Sequence, residues 1–338
     1  MEALGFKEKR DAVFRTLTDD VLKSSEIEGE QLDAEQVRSS VARRLGIEVG
    51  GLRAADRHVE GVVEMMLDAT QRYDVTLSAE RLFEWHASLF PTGRSGMHRI
   101  RVGGWRQDTT APMQVVSGPV GRERVHFEAP AAARLDNEMR TFLAWFNGDE
   151  ATEPVLKAAK AHLWFVTIHP FDDGNGRIAR AIADMALARS EGSSQRFYSM
   201  SAQIREQRSD YYAILERTQQ GTLDVTPWME WFLACLTRAI EGAQSAISGV
   251  IARAHYWEWL RDVPLNERQR LVINRLLEGF EGKLTTSKWA ALTKSSQDTA
   301  LRDVQQLVDR GVLVRNAAGG RSTSYSLAAI DQRSRSGA

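Results

Sequence analysis

The chain has 338 residues, 43% of them apolar and 26% charged, with 44 Lys and Arg set against 45 Asp and Glu. That length predicts two to three domains, and the ordinary globular composition excludes wholesale disorder and fibrous architectures. A formal net charge of -1 excludes a globally basic nucleic-acid binder but leaves room for a local basic patch. The single cysteine, Cys235, sits in the apolar run WFLACL and reads as a small buried hydrophobe. No Asn-x-Ser/Thr sequon occurs, MEALGFKEKR lacks an apolar leader, and no run approaches the ~18 residues that span a bilayer. A reducing cytoplasm is therefore the expected location, with no membrane insertion.

In chain order, apolar residues recur at helical spacing near 10–28, 54–72, 78–89, 131–147, 154–167, 177–190, 201–218 and 227–246, so the body is expected to be mainly α. Pro91, Gly93 and Gly96 interrupt the pattern. Within 97–128 the β-prone runs MQVVSG and RERVHFE flank the turn-rich SGPVG, which predicts a hairpin, the only clear one before residue 310. Residues 242–262 read as a helical connector. From Asn266, three short helical stretches and GVLVRNAAGGRSTSYSL resemble a winged helix-turn-helix, whose third helix stripes Ala300, Val304, Leu307 and Val308 inward and leaves Gln297, Arg302 and Gln305 outside. The expected organisation is an N-terminal helical region (1–50), a main helical domain (51–245), a connector (246–262), a winged helix (263–330) and a disordered tail (331–338).

The densest chemistry lies in HPFDDGNGRIAR, residues 169–180. Pro170 ends the preceding helix, while Ile178, Ala181, Ile182, Met185 and Ala186 open another near Gly176, giving a loop that feeds a helix N-terminus. Such a terminus offers unpaired N–H groups and partial positive charge, and Gly174 and Gly176 let a phosphate approach them. Arg177 and Arg180 supply planar forks for phosphate oxygens, Asp173 can hold a divalent cation, and His169 can accept a proton from a hydroxyl. Singly, Arg180 could instead pair with Asp184, and His169 could be a loop histidine.

This segment resembles the signature of the Fic (Fido) family, His-x-Phe-x-Asp/Glu-Gly-Asn-Gly-Arg-x-x-Arg, at every specified position. The resemblance implies a protein adenylyltransferase that moves the AMP of ATP to a Tyr, Ser or Thr hydroxyl of a target protein or of itself. It assigns His169 as general base, Phe171 to loop packing, Asp173 to Mg²⁺, and Gly174, Asn175, Gly176, Arg177 and Arg180 to the nucleotide's phosphates. Gly174 favours AMP transfer, because kinase-like Doc relatives carry lysine there. In the family, the hairpin acts as a flap that adds a target strand beside the active site, here Val115, Val116, Ser117 and Gly118. Tyr211, with Tyr212, and Gln219 resemble positions around the adenosine. Ser24, Glu28 and Gly29 match the family's inhibitory pattern Ser/Thr-x-x-x-Glu-Gly/Asn, with Ser24 and Glu28 expected on one helical face.

Two kinds of alternative stay open. Within the fold, the reaction can be removal of AMP or transfer of another phosphate-containing group. In another class, the chain is a nucleotide-sensing transcription regulator whose winged helix binds DNA through Lys294, Arg302, Arg310, Arg315 and Arg321, although Asp298, Asp303 and Asp309 lie nearby. A winged helix also serves for protein docking or homodimer formation. P-loop, dinucleotide-binding, zincin and nucleophile-elbow motifs are absent from the sequence.

Overall fold

Apolar helical stripes assemble the chain into two units, Met1–Gln244 and Ser245–Ala338. The computed structural model describes residues 6–48, 51, 53–107, 112–118, 122–148, 152–280, 282–316 and 323–329. The fold is mainly α.

The first unit opens with α1 (Phe6–Ile27), α2 (Ala34–Arg44), α3 (Arg57–Gln71) and α4 (Ala79–Leu89). Side-chain caps set three of their starts: Asp33 accepts from Glu35 and Gln36, Asp56 from Val59, and Ser78 from Arg81. Two hairpins follow, β1 (Arg94–Ser95) with β2 (His98–Arg99), and β3 (Gln114–Ser117) with β4 (Arg124–Glu128). The first of these corrects the expectation of one hairpin. Its two-residue strands follow the Gly93 turn and pair through Gly96 at φ 54°, too short to leave a β-prone run in the sequence. After α5 (Leu135–Asn147), Pro154 starts α6 (Pro154–Ile168), and α7 (Asn175–Glu191) packs along it more extensively than any other pair of elements. Then come α8 (Met200–Glu206), α9 (Arg208–Gln220) and α10 (Thr226–Trp259). The stretch 201–218 is thus two helices that break at Gln207, and the connector region is continuous helix as far as Trp259.

Almost every residue of α7 from Asn175 to Ala188 is buried, which makes it the central helix of the unit. Its apolar residues share one continuous core with Val62, Met66, Leu82, Phe142, Phe165 and Trp228. A second, buried polar layer fastens α1 to this centre. Arg196 pairs with Asp184 of α7 at 2.6 Å and with Asp20 of α1 at 3.2 Å, and all three are almost fully enclosed. Burial and the neighbouring Asp184 push the Asp20 carboxyl above the usual carboxylate range, an effect that Arg196 opposes.

The second unit holds α11 (Glu267–Leu277), α12 (Thr286–Thr293), α13 (Gln297–Asp309), and the antiparallel pair β5 (Leu313–Arg315) and β6 (Tyr325–Leu327), with Leu284 bridging to Tyr325. Trp289, Ala300, Val304 and Leu307 form its own core together with Tyr256 and Leu260 from the end of α10. Gln297, Arg302 and Gln305 lie on the exposed side of α13, whereas Asp303 is buried against Arg268 at 2.7 Å. Arg321, the Gly-Gly turn and the 331–338 tail fall outside the described residues. Among the described residues no helix is long and apolar enough to cross a membrane.

Candidate active site

The site forms where α6 stops and α7 starts. His169 closes α6 in the left-handed conformation, φ 52° and ψ 58°, a backbone strain of about 1–3 kcal/mol for a non-glycine residue. Several contacts hold it there. Its N–H donates to Phe165 O at 3.0 Å, and its carbonyl accepts from Arg106 Nε at 2.8 Å. Phe171 is fully buried and stacks on His86 at 4.2 Å, and Asn175 brackets it by accepting from Phe171 N–H at 3.0 Å and donating to Phe171 O at 2.8 Å. Asn175 therefore shapes the loop through its side chain, leaving only its backbone for a phosphate.

His169 Nδ1 lies 3.3 Å from the Val166 carbonyl, which fixes Nδ1 as the protonated nitrogen and leaves the Nε2 lone pair free of that bond. Burial, assisted by the Arg106 charge and opposed by Asp173 and Glu28, pushes the imidazole down to about 4. At neutral pH it is an uncharged base.

Gly174 caps α7 at φ 81°, and a Cβ there would come within 2.9 Å of Phe90. No side chain caps the helix, so its first N–H groups remain an anion site. A carboxylate of the protein sits over that terminus. A Cβ on Gly176 would lie 2.1 Å from Glu28 Oε1, and the same oxygen accepts from Arg180 Nη2 at 2.6 Å. Arg180 also donates to Ser24 Oγ and Ser24 O, both at 2.9 Å. Ser24 and Glu28 thus converge on Arg180 as a pair, but not from one helical face: α1 ends at Ile27, and Glu28 belongs to the turn that Gly29 completes at φ 84°. Asp184 is engaged by Arg196 rather than by Arg180.

Arg177 pairs with Glu30 Oε2 at 2.6 Å, and His58 Nε2 lies 2.6 Å from the other Glu30 oxygen. The Glu30 contact raises the His58 pKa, and His58 in turn lowers that of Glu30. Among the described residues, the buried Arg177 Nε and Arg180 Nη1 have no hydrogen-bond partner.

Asp173 stands at the mouth of the loop, accepting from Gly174 N–H at 2.6 Å and from the Ser95 hydroxyl. No group of three or more His, Cys, Asp or Glu that could hold a metal converges among the described residues. A single carboxylate beside a phosphate site suits Mg²⁺, which keeps waters and takes phosphate oxygens as further ligands.

The β3–β4 hairpin, the expected flap, is braced by α9. Glu216 of α9 pairs with Arg124 at 2.6 Å and His126 at 2.7 Å, and Val116 and Val125 stand opposite each other, both about half exposed. Val115 faces Phe127 across a bulge, Ser117 bonds to His126, and Gly118 adopts φ 106°. Pro119, Val120 and Gly121 of the expected turn fall outside the described residues. Tyr211 is 1% exposed, bonds to His162 at 2.9 Å, packs on Trp231 and interacts with Arg180 and Glu28. Its neighbour Tyr212 also reaches the site, 3.1 Å from Ile27 O and 3.4 Å from Glu28. Gln219 donates to Thr167 at 3.2 Å. Glu30, His58, Arg106 and Ser95 went unread in the sequence because they reach the site from separate elements. For Glu30 a signal existed, a second acid two residues after Glu28.

Fold and site together define a helix-loop-helix with an uncapped helix N-terminus, a neutral histidine, two arginines and a nearby antiparallel hairpin. Residues 76–187 match the family model described as Fic/DOC family, and residues 1–47 match one described as a domain of unknown function, DUF4172. Residues 76–187 of this chain are thus similar to the Fic/DOC family. The chain is 25% identical over 244 residues to the protein adenylyltransferase Fic of Drosophila melanogaster, covering 69% of this chain and 42% of that protein. The protein of the same name from Aedes aegypti is 26% identical over 226 residues, covering 64% and 39%. The matches thus span well under half the length of those relatives. Among solved structures, a Fic family protein from Desulfovibrio desulfuricans G20 aligns with a TM-score of 0.52 at 22% identity, covering 98% of this chain and 91% of that one. A Fic domain containing signaling protein from Bacteroides thetaiotaomicron VPI-5482 aligns with 0.54 at 22%, covering 73% and 92%. These two structures share the fold.

Proposed function

We propose that this protein is a protein adenylyltransferase that transfers AMP from ATP to a hydroxyl side chain of a target protein or of itself, restrained by its own Glu28. The observation that carries this is the pair of buried guanidinium nitrogens on Arg177 and Arg180 that lack a hydrogen-bond partner among the described residues, beside the uncapped N-terminus of α7 and the loop that starts at a neutral His169. Phosphates would complete those donors. The names of the curated relatives support the same activity.

In this proposal His169 Nε2 takes the proton of the target hydroxyl, whose oxygen attacks the α-phosphorus. The bond to the β-phosphate then breaks and pyrophosphate leaves, its charge received by Arg177, Arg180 and the N–H groups of Gly176 and Arg177. Asp173 would hold Mg²⁺, which when bound neutralises phosphate charge. The exposed edge around Val116 offers a strand partner for the target backbone. Glu28 occupies the place of a phosphate on Arg180, so ATP enters with its α-phosphate poorly aligned for the hydroxyl.

The test is His169→Ala. It should bind ADP as the wild type does and transfer no AMP, with the product identified by mass spectrometry. Full transfer by this variant would overturn the mechanism.

A further inference from the structure

Arg106 lies in the loop between the two hairpins and is 2% exposed. Its side chain reaches two carbonyls in segments far apart in sequence: Nε donates to His169 O at 2.8 Å, and Nη2 donates to Pro130 O just beyond the end of β4. Its own backbone N–H donates to Pro170 O at 2.9 Å. The base of the β3–β4 hairpin is closed beside it by Ala129 N–H on Met113 O at 2.9 Å. Next to it in the chain, Trp105 packs on Phe171 at 5.2 Å and on Phe83 at 4.4 Å.

These contacts converge on the most strained residue of the site. A left-handed non-glycine conformation persists only where its surroundings over-determine it, and here one guanidinium clamps both the carbonyl of that residue and the foot of the flap. We propose that Arg106 is the positioning residue of His169, locking the catalytic loop to the base of the flap so that the imidazole and a flap-bound target strand keep one fixed separation. Its positive charge faces the imidazole together with Asp173 and Glu28, and it acts in the same direction as burial by disfavouring the protonated ring.

The inference rests on the AMP-transfer proposal but is tested partly without it. Arg106→Met and Arg106→Lys are made in the Glu28→Gly background, and three quantities are read: kcat and KM for label incorporation, ADP affinity, and the His169 titration followed by ring-carbon NMR. If Arg106 positions the base, the Met variant loses about a hundredfold in kcat, as for a ~1 Å misplacement. ADP affinity stays unchanged, and the His169 midpoint rises from about 4 towards the unperturbed value. The Lys variant keeps the midpoint, because the charge stays, yet loses part of kcat because the two-carbonyl fork is gone. Should the Met variant not fold, the Lys variant decides alone, and full kcat there overturns the proposal. It is equally overturned if the folded Met variant leaves kcat and the midpoint unmoved, or if kcat, ADP affinity and thermal stability fall in parallel in both variants, the mark of a mere scaffold. If no variant transfers AMP while the midpoint shifts as stated, the transfer proposal fails and the positioning role stands.

Discussion

Replacing Glu28 by Gly should release the site. The Glu28 carboxylate sits 2.6 Å from a guanidinium that is 2% exposed, while Glu28 itself is 31% exposed. At an effective dielectric of about 20 such a contact is worth up to ~4 kcal/mol. Desolvation and the open side of Glu28 reduce the net value to about 1–2 kcal/mol. A phosphate that needs Arg180 must displace that partner, so its removal should tighten ATP binding by about tenfold. The larger gain is in rate. If Glu28 keeps the α-phosphate about 1 Å from its productive place, release returns on the order of a hundredfold. Arg180 keeps both Ser24 acceptors at 2.9 Å, so the variant should stay folded. The assay is incorporation of α-labelled ATP by wild type, Glu28→Gly, Glu28→Gln and Glu28→Gly with Arg180→Ala; the last should lose the gain. Equal incorporation by wild type and Glu28→Gly, both folded and both binding ATP, would refute the competition for Arg180.

With His169 titrating at about 4, transfer by the Glu28→Gly variant should be independent of pH from 8 down to roughly 5, since the base is neutral throughout. An acid limb centred near 6.5 in initial rates would contradict a buried, neutral base. His86 and His162 are fully enclosed, and burial pushes them down to about 4 and about 3. For groups whose folded pKa lies below the unfolded value of about 6.5, protonation favours the unfolded chain, so stability is full above that value. It falls as pH drops below it, by about 2 kcal/mol for each at pH 5. Thermal melts should show this decline, and a Tm constant from pH 7 to 5 would refute it. Glu30→Gln should lower the raised His58 pKa towards 6.5 in an NMR titration. The stabilising pair is complete below the unfolded pKa of His58 and lost as pH rises through its folded pKa, so the variant should cost more stability at pH 6 than at pH 9. An equal cost at both would show that the pair contributes nothing through charge.

The long apolar helices were legible because their stripes repeat every three to four residues, and the phosphate loop because glycines, a proline and charges cluster within twelve positions. Helix α2 was missed: it is short and polar, and only the cap Asp33 and the first-turn Glu35 mark its start. Tyr211 and Tyr212 could not be told apart from sequence, since a rotation of one residue decides which is enclosed against His162 and which stays partly exposed beside Glu28. The Glu30–Arg177 pair and the Arg106 clamp join residues 147 and 63 positions apart, and such pairings leave no local pattern.

The most direct test supplies the Glu28→Gly variant, in parallel, with ATP labelled on the α-phosphate and ATP labelled on the γ-phosphate, and asks which label becomes covalently bound to protein. Label from the α-position alone, lost in Glu28→Gly with His169→Ala, is the expected result. Label from the γ-position, or none from either in a folded, ATP-binding protein, would contradict AMP transfer.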